Sequence, residues 1–153
     1  CREGYKEQAE SLEMLGAINP KGVEVIAEWD ARYKGHTDWE PPDGDLVEIK
    51  SVYWDKFMEI VERRRAERQH YEQVQAYLRH GGWNLAHICY KARDVPPEQW
   101  RGDTIATCGG IPIWIVSVGL NREVADRLDT KARMILGAID RGVAPDCVCG
   151  RCK

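Results

Sequence analysis

Residues 46–52 read LVEIKSV, and the reading of this stretch decides the fold. Leu46, Val47, Ile49 and Val52 make it a short strand, and side chains two apart on a strand share a face. Glu48 and Lys50 therefore point the same way, a carboxylate beside an ammonium. Upstream lies GVEVIAEWDARY (22–33), where Val23, Val25, Ala27 and Trp29 alternate with Glu24, Ile26, Glu28 and Asp30. That alternation predicts a second strand over 22–33, apolar on one face and acidic on the other. The intervening KGHTDWEPPDGD (34–45) is rich in Gly and Pro and reads as a polar loop. The two strands are expected to form an antiparallel hairpin. A hairpin symmetric about Trp39 places Asp30 opposite Glu48, so that Glu28, Asp30, Glu48 and Lys50 converge on one patch of sheet.

Outward from this hairpin, residues 3–16 predict a helix, with Leu12 and Leu15 spaced for one side and Gly16 and Asn19-Pro20 as the stop. Residues 55–80 predict helix in two pieces, with Phe57, Val61, Tyr71, Val74 and Leu78 able to share a side and Gly81-Gly82 ending the run. A strand is expected at 84–91 and a loop at 92–102 around Pro96-Pro97. Two more strands are expected at 104–108 and 111–118, around Gly109-Gly110. Asn121 caps a long last helix, through about Gly142, with Val124, Leu128, Ile135 and Ile139 on one side. This order describes a mixed central sheet flanked by helices, an α/β or α+β domain, with no internal repeat.

The chain has 153 residues, 43% hydrophobic and 31% charged, which suits a single domain with a packed core and excludes wholesale disorder. The net charge of -3, from 22 basic and 25 acidic side chains, excludes a polybasic binder whose whole surface attracts phosphate. It leaves room for a nuclease, because a site that holds metal ions must itself be acidic. No apolar run approaches the ~18 residues of a membrane span. The chain opens at Cys1 without Met or a basic-apolar leader, so residues upstream are expected and a secretion signal is not.

A cluster of carboxylates is costly without a cation, since like charges a few ångströms apart raise each other's pKa. A hard divalent ion relieves it, and carboxylates with a main-chain carbonyl are ligands that Mg²⁺ prefers. The ion can activate water, and a nearby lysine can orient that water or stabilise the charge of a phosphoryl transition state. Taken alone, E-x-K is also the pattern of a solvated strand face with Glu–Lys pairing.

The combination of Asp30, Glu48-Ile49-Lys50-Ser51 and, further on, Gln73-Val74-Gln75-Ala76-Tyr77 resembles the PD-(D/E)XK nuclease superfamily in its RecB-like branch. Gln73 and Tyr77 fit Q-x-x-x-Y on the helix after the E-x-K strand, and their i, i+4 spacing puts them on one helix face. The literal Pro42-Asp43 is set aside, because only four residues separate Asp43 from Glu48 and PPDGD is turn chemistry. Departures from the pattern are Ala27, where the family usually has glycine three before the Asp, and the absence of any His before His36. Glu10 and Glu13, one helical turn apart, are the candidates for an upstream metal ligand.

Six cysteines occur, at 1, 89, 108, 147, 149 and 152. One cysteine before the nuclease motifs and three after them resembles the iron–sulfur subset of this branch, which includes CRISPR-associated RecB-like exonucleases and AddB-type nuclease domains. The resemblance implies that Cys1 joins Cys147, Cys149 and Cys152 around a [4Fe–4S] cluster, stapling the 145–153 tail to the N-terminal end. By residue count, four thiolates suit Zn²⁺ equally. Cys89 reads as a core residue, and Cys108 is left open.

Arg63, Arg64, Arg65 and Arg68 form the one basic cluster. They read either as phosphate contacts or as a solvated helix face paired with Glu59, Glu62, Glu67 and Glu72. Tyr53 and Trp54 are placed to stack on an unpaired base or to pack in the core.

What the resemblance implies is a restriction-endonuclease-like core spanning residues 1–153 and a Mg²⁺- or Mn²⁺-dependent deoxyribonuclease. Asp30, Glu48 and the Ile49 carbonyl would hold the metal, Lys50 would orient the attacking water, and Gln73 and Tyr77 would organise Lys50 and the DNA. Expected substrates are single-stranded DNA or free ends, in recombination, repair or CRISPR adaptation. The expected setting is the cytoplasm of a bacterial, archaeal or phage-infected cell, alongside recombination or CRISPR integration proteins. The competing expectation is a DNA-end-recognising subunit that acts only within a larger complex.

Overall fold

The computed structural model describes residues 22–40, 44–96, 105, 107–108 and 110–144. Strand β1 (Glu24–Ile26) pairs antiparallel with β2 (Lys34–His36). Strand β3 (Leu46–Tyr53) leads directly into helix α1 (Trp54–Arg63), followed by α2 (Arg68–Gly81) and β4 (Leu85–Arg93). Strand β5 (Thr107–Cys108), β6 (Ile111–Gly119) and α3 (Arg122–Asp140) complete the described elements. The main sheet has the order β3-β4-β6-β5. β3 and β4 run parallel, as the two intervening helices allow, and β6 is antiparallel to both β4 and β5. This is a mixed sheet with helices against it, a restriction-endonuclease-like α/β fold.

The core fills the space between one sheet face and the helices. In the parallel register Leu46, Glu48, Lys50 and Val52 of β3 stand beside Ala86, Ile88, Tyr90 and Ala92 of β4. α1 buries Trp54, Phe57 and Ile60, spaced by three, and ends where Arg64 takes the left-handed conformation (φ 51°). α2 buries Val74, Tyr77 and Leu78, together with a fully buried Gln75. Gln75 is satisfied: its Nε2 donates to the Gly119 carbonyl (2.9 Å) and its Oε1 accepts from the Asn121 main-chain N–H (2.6 Å). It thereby fixes α2 to the start of α3, where Asn121 caps the helix by accepting from the Val124 N–H. On the reverse sheet face Val47, Ile49 and Cys89 form a smaller cluster, with Trp39 and Ile113 against it.

Three expectations are corrected. The stretch 22–33 is not one strand: after β1 the Ala27 N–H donates to the Tyr33 carbonyl (3.0 Å) and the Tyr33 N–H to the Asp30 carbonyl (3.0 Å), so the chain folds back on itself. β1 therefore pairs with β2, inside the stretch expected to be loop, with Glu24 opposite His36. The expected pairing of 22–33 with 46–52, and with it the meeting of Asp30 and Glu48, is not formed. On α3 the buried residues are Ala125 and Ala138, whereas Ile139 is 55% exposed. The helix is joined to α2 by His80 to Asp129 (2.8 Å) and Arg79 to Asp126 (3.2 Å). The helix expected at 3–16 lies outside the described residues.

Candidate active site

Glu48 and Lys50 interrupt the apolar face of β3 with charge, on the side where the helices pack. Glu48 is 1% exposed. A buried charge persists only when it is partnered, and the partners form a chain. Lys50 Nζ donates to Glu48 Oε1 (2.6 Å) and to Gln73 Oε1 (2.9 Å). Gln73 Nε2 donates to the Tyr77 hydroxyl (2.8 Å), which donates to the His36 carbonyl (2.8 Å). The i, i+4 spacing on α2 places Gln73 and Tyr77 in line, and β2 supplies the final acceptor. Gly35 makes room for this: a Cβ there would lie 2.7 Å from the Tyr77 ring. The direction of each bond follows from the ammonium, which only donates. Gln73 must offer it the carbonyl oxygen, leaving its NH₂ for Tyr77.

The aspartate beside Glu48 is Asp38. Trp39 and Val47 exchange main-chain hydrogen bonds (3.1 and 3.0 Å), an antiparallel bridge that sets residue 38 across from residue 48. Asp38 Oδ2 accepts from the Ile49 N–H at 2.6 Å. Burial pushes the Glu48 carboxyl up to about 7, and the Asp38 carboxylate adds to the rise, while Lys50 opposes it. Glu48 Oε2 is buried and has no hydrogen-bond partner among the described residues. Its other oxygen belongs to Lys50. In an extended strand the N–H and C=O of one residue face the same edge, so the Ile49 carbonyl lies on the edge that Asp38 lines.

These features suit a hard cation. A buried carboxylate oxygen without a donor carries a desolvation cost, and a divalent ion relieves a carboxyl whose pKa a neighbouring carboxylate raises. Asp38, Glu48 and the Ile49 carbonyl are oxygen donors of the kind Mg²⁺ or Mn²⁺ takes. Among the described residues no group of three or more His, Cys, Asp or Glu side chains comes together, so the set available there is two carboxylates and a carbonyl.

The structure does not bring Asp30 to this place. Arg32 holds both Asp30 oxygens (2.6–3.2 Å) and also reaches Asp140 (2.6 Å), latching the turn after β1 to the end of α3. The guanidinium holds the Asp30 carboxyl down at about 2. Trp54 is buried and stacked on Phe57, so it is core and presents no face to a base. Tyr53 is 59% exposed, but the Arg93 guanidinium lies 3.9 Å above its ring. Arg63 pairs with Glu59 and Arg68 with Glu72, the i, i+4 partners of a solvated face. Arg64 and Arg65 are exposed. Cys89 is buried, as expected. Glu10, Glu13, Cys1, Cys147, Cys149 and Cys152 lie outside the described residues. No helix among the described residues is long and apolar enough to cross a membrane.

Asp38 escaped the sequence reading although a signal for it was present. PPDGD at 41–45 is turn chemistry, and a hairpin turned there, four residues beyond Trp39, pairs 38 with 48.

No protein-family model and no curated protein matches the sequence. Solved structures do match the fold. An alkaline exonuclease from Laribacter hongkongensis superposes with a TM-score of 0.68 at 12% identity, over 88% of this chain and 63% of that one. Its complex with dAMP gives the same values. A phage-related exonuclease from Haemophilus somnus 129PT gives 0.51 at 16% identity, over 84% and 67%. The fold is thus one that these exonucleases use. These neighbours give no support to the RecB-like branch or its iron–sulfur subset. This chain spans 63% of the length of the Laribacter enzyme, and at such identities the likeness is one of fold.

Proposed function

We propose that the chain is a divalent-metal-dependent deoxyribonuclease that hydrolyses phosphodiester bonds of DNA, acting as an exonuclease on free ends. The observation that carries the reading is the buried Glu48–Lys50 pair, locked by Gln73 and faced by Asp38, with one Glu48 oxygen that no donor among the described residues reaches. Structural charge pairs are normally satisfied at every atom, and among the described residues this one is not.

Asp38, Glu48 and the Ile49 carbonyl would hold Mg²⁺ or Mn²⁺. Such an ion, when bound, lowers the pKa of water and offsets the charge of the phosphate. Lys50 is held by two acceptors and has a third N–H to direct at the attacking water or a non-bridging phosphate oxygen. Water adds to phosphorus, the 3′-oxygen leaves with a proton, and the phosphate stays on the 5′-oxygen. Gln73 and Tyr77 do not touch the substrate in this scheme: they fix where the Lys50 ammonium stands. The exonuclease assignment leans on the names of the structural neighbours, and roles in recombination or repair extend that reading. The four cysteines 1, 147, 149 and 152 are proposed as the ligands of a [4Fe–4S] cluster, with zinc as the alternative. Visible absorbance and metal analysis of the anaerobically purified chain decide between them.

The test is incubation of the chain with end-labelled single- and double-stranded DNA and Mn²⁺, beside Lys50→Ala and Asp38→Asn. Cleavage by the parent and by neither variant supports the site. A folded parent that binds Mn²⁺ and leaves every substrate intact refutes autonomous nuclease action. It would shift the reading to an end-recognising subunit, which the acid-paired Arg63 and Arg68 would suit.

A further inference from the structure

His70 is unused in the scheme above, yet it stands one helical turn before Gln73 on α2, half-buried. Its Nδ1 lies 3.2 Å from the Tyr90 hydroxyl. Tyr90 is the register partner of Lys50 across the β3–β4 ladder, and it is fully buried. The Tyr90 oxygen accepts the Glu67 main-chain N–H at 3.0 Å. Burial pushes the Tyr90 phenol up to about 12, so the hydroxyl keeps its proton. That proton needs an acceptor, and His70 Nδ1 is the acceptor beside it. A ring whose Nδ1 accepts carries its own proton on Nε2.

The charges around the ring agree with this neutral form. Burial and the Lys50 and Lys56 ammonium groups hold the His70 pKa below its usual value, against the pull of Glu67. Glu67 is itself engaged by Lys56 at 3.1 Å. Nε2–H points to the side of the ring opposite Tyr90, and no acceptor for it is found among the described residues. The result is an uncharged donor of fixed direction one helical turn from Gln73, which holds the Lys50 ammonium.

We propose that His70 contacts the substrate: its Nε2–H donates to a phosphate oxygen of the DNA strand held at Asp38, Glu48 and Lys50. The proposal rests on the nuclease reading of that site. A phosphate is the group that suits such a donor on the helix that holds Lys50, since its oxygens only accept. Tyr90 is the positioning residue, acting through the tautomer it enforces.

Two measurements test it. In steady-state cleavage, His70→Ala is expected to lower kcat/KM about 10- to 100-fold, the size of losing one directed donor. His70→Gln, which can return an N–H near the Nε2 position, is expected to recover part of the loss, and Tyr90→Phe to lose about 5-fold. A merely structural role would make the Gln and Ala variants equal. Independently of turnover, ¹⁵N NMR of the imidazole should show Nε2 protonated and Nδ1 bare. The Nε2–H signal should shift when a short oligodeoxynucleotide is added with Ca²⁺ in place of the activating ion. A proton on Nδ1, or full activity in His70→Ala, overturns the proposal. If the parent does not cleave at all, the nuclease reading falls separately, and the NMR titration alone decides the contact: a shift upholds it and no shift overturns it.

Discussion

Replacing Glu48 by Gln should make the metal-free protein more stable at pH 8 while abolishing its proposed activity. The Glu48 carboxyl is raised from 4.5 to about 7, chiefly by burial and then by Asp38. Its folded pKa lies above its unfolded one, so the folded state binds the extra proton, and stability falls as pH rises between about 4.5 and 7. Above that window the ionised carboxylate costs about 3 kcal/mol. Gln removes this cost but weakens the bond to Lys50, a loss of about 1 kcal/mol. The net gain of about 2 kcal/mol corresponds to a rise in Tm of about 6 °C for a domain of this size. At pH 5 the parent carboxyl is already protonated in the folded state, and the gap should shrink by about 2 kcal/mol. Thermal melts followed by circular dichroism in EDTA, at pH 5 and pH 8, supply the comparison. A Glu48→Gln protein that melts below the parent at pH 8, or a gap indifferent to pH, would refute the view of Glu48 as a strained carboxylate. A function-bearing residue that costs stability in the resting protein is expected of a preformed site.

Further outcomes follow from the same geometry. Asp38→Asn should reduce cleavage more than about 100-fold, whereas Asp30→Asn should leave it unchanged; parallel assays of the two discriminate the aspartates directly. Adding Mn²⁺ to the parent should raise its Tm, and adding it to Asp38→Asn should not, as differential scanning fluorimetry can show. Tyr77→Phe should lower kcat about 5-fold with little change in KM, because it frees Gln73 without removing the ion pair of Lys50. Gln75→Leu leaves the Gly119 carbonyl and the Asn121 N–H unpartnered in the interior, and chemical denaturation should report a loss of about 3 kcal/mol.

Local pattern carried much of the architecture. The β3 strand, the division of 55–80 into two helices, the Gly82 stop and the Asn121 cap all depend on contacts within a few residues, and the structure reproduces them. The failure at 22–33 has a physical cause. Alternation of Val23, Val25 and Ala27 with polar neighbours is compatible with a long strand. The chain instead closes a turn through main-chain bonds from Ala27 to Tyr33, and side-chain pattern does not report these. Once that turn forms, every register built on a longer strand is displaced.

Glu48, Lys50, Gln73 and Tyr77 were legible as a set because strand and helix periodicities place each pair on one face, whatever lies around them. Which partner stands across from Glu48 depends on where the hairpin turns, and a register shift moves an entire strand past its neighbour. That choice was settled by the Trp39–Val47 bridge, which brought Asp38 in and left Asp30 to Arg32. The proton on His70 was equally invisible in the sequence. It is set by Tyr90, which stands 20 residues away along the chain, through the packing of α2 on the β3–β4 pair. The sequence by itself determined which residue types share a face, since that follows from helix and strand geometry alone. Only the tertiary structure decided which faces meet, because that is chosen by the whole core at once.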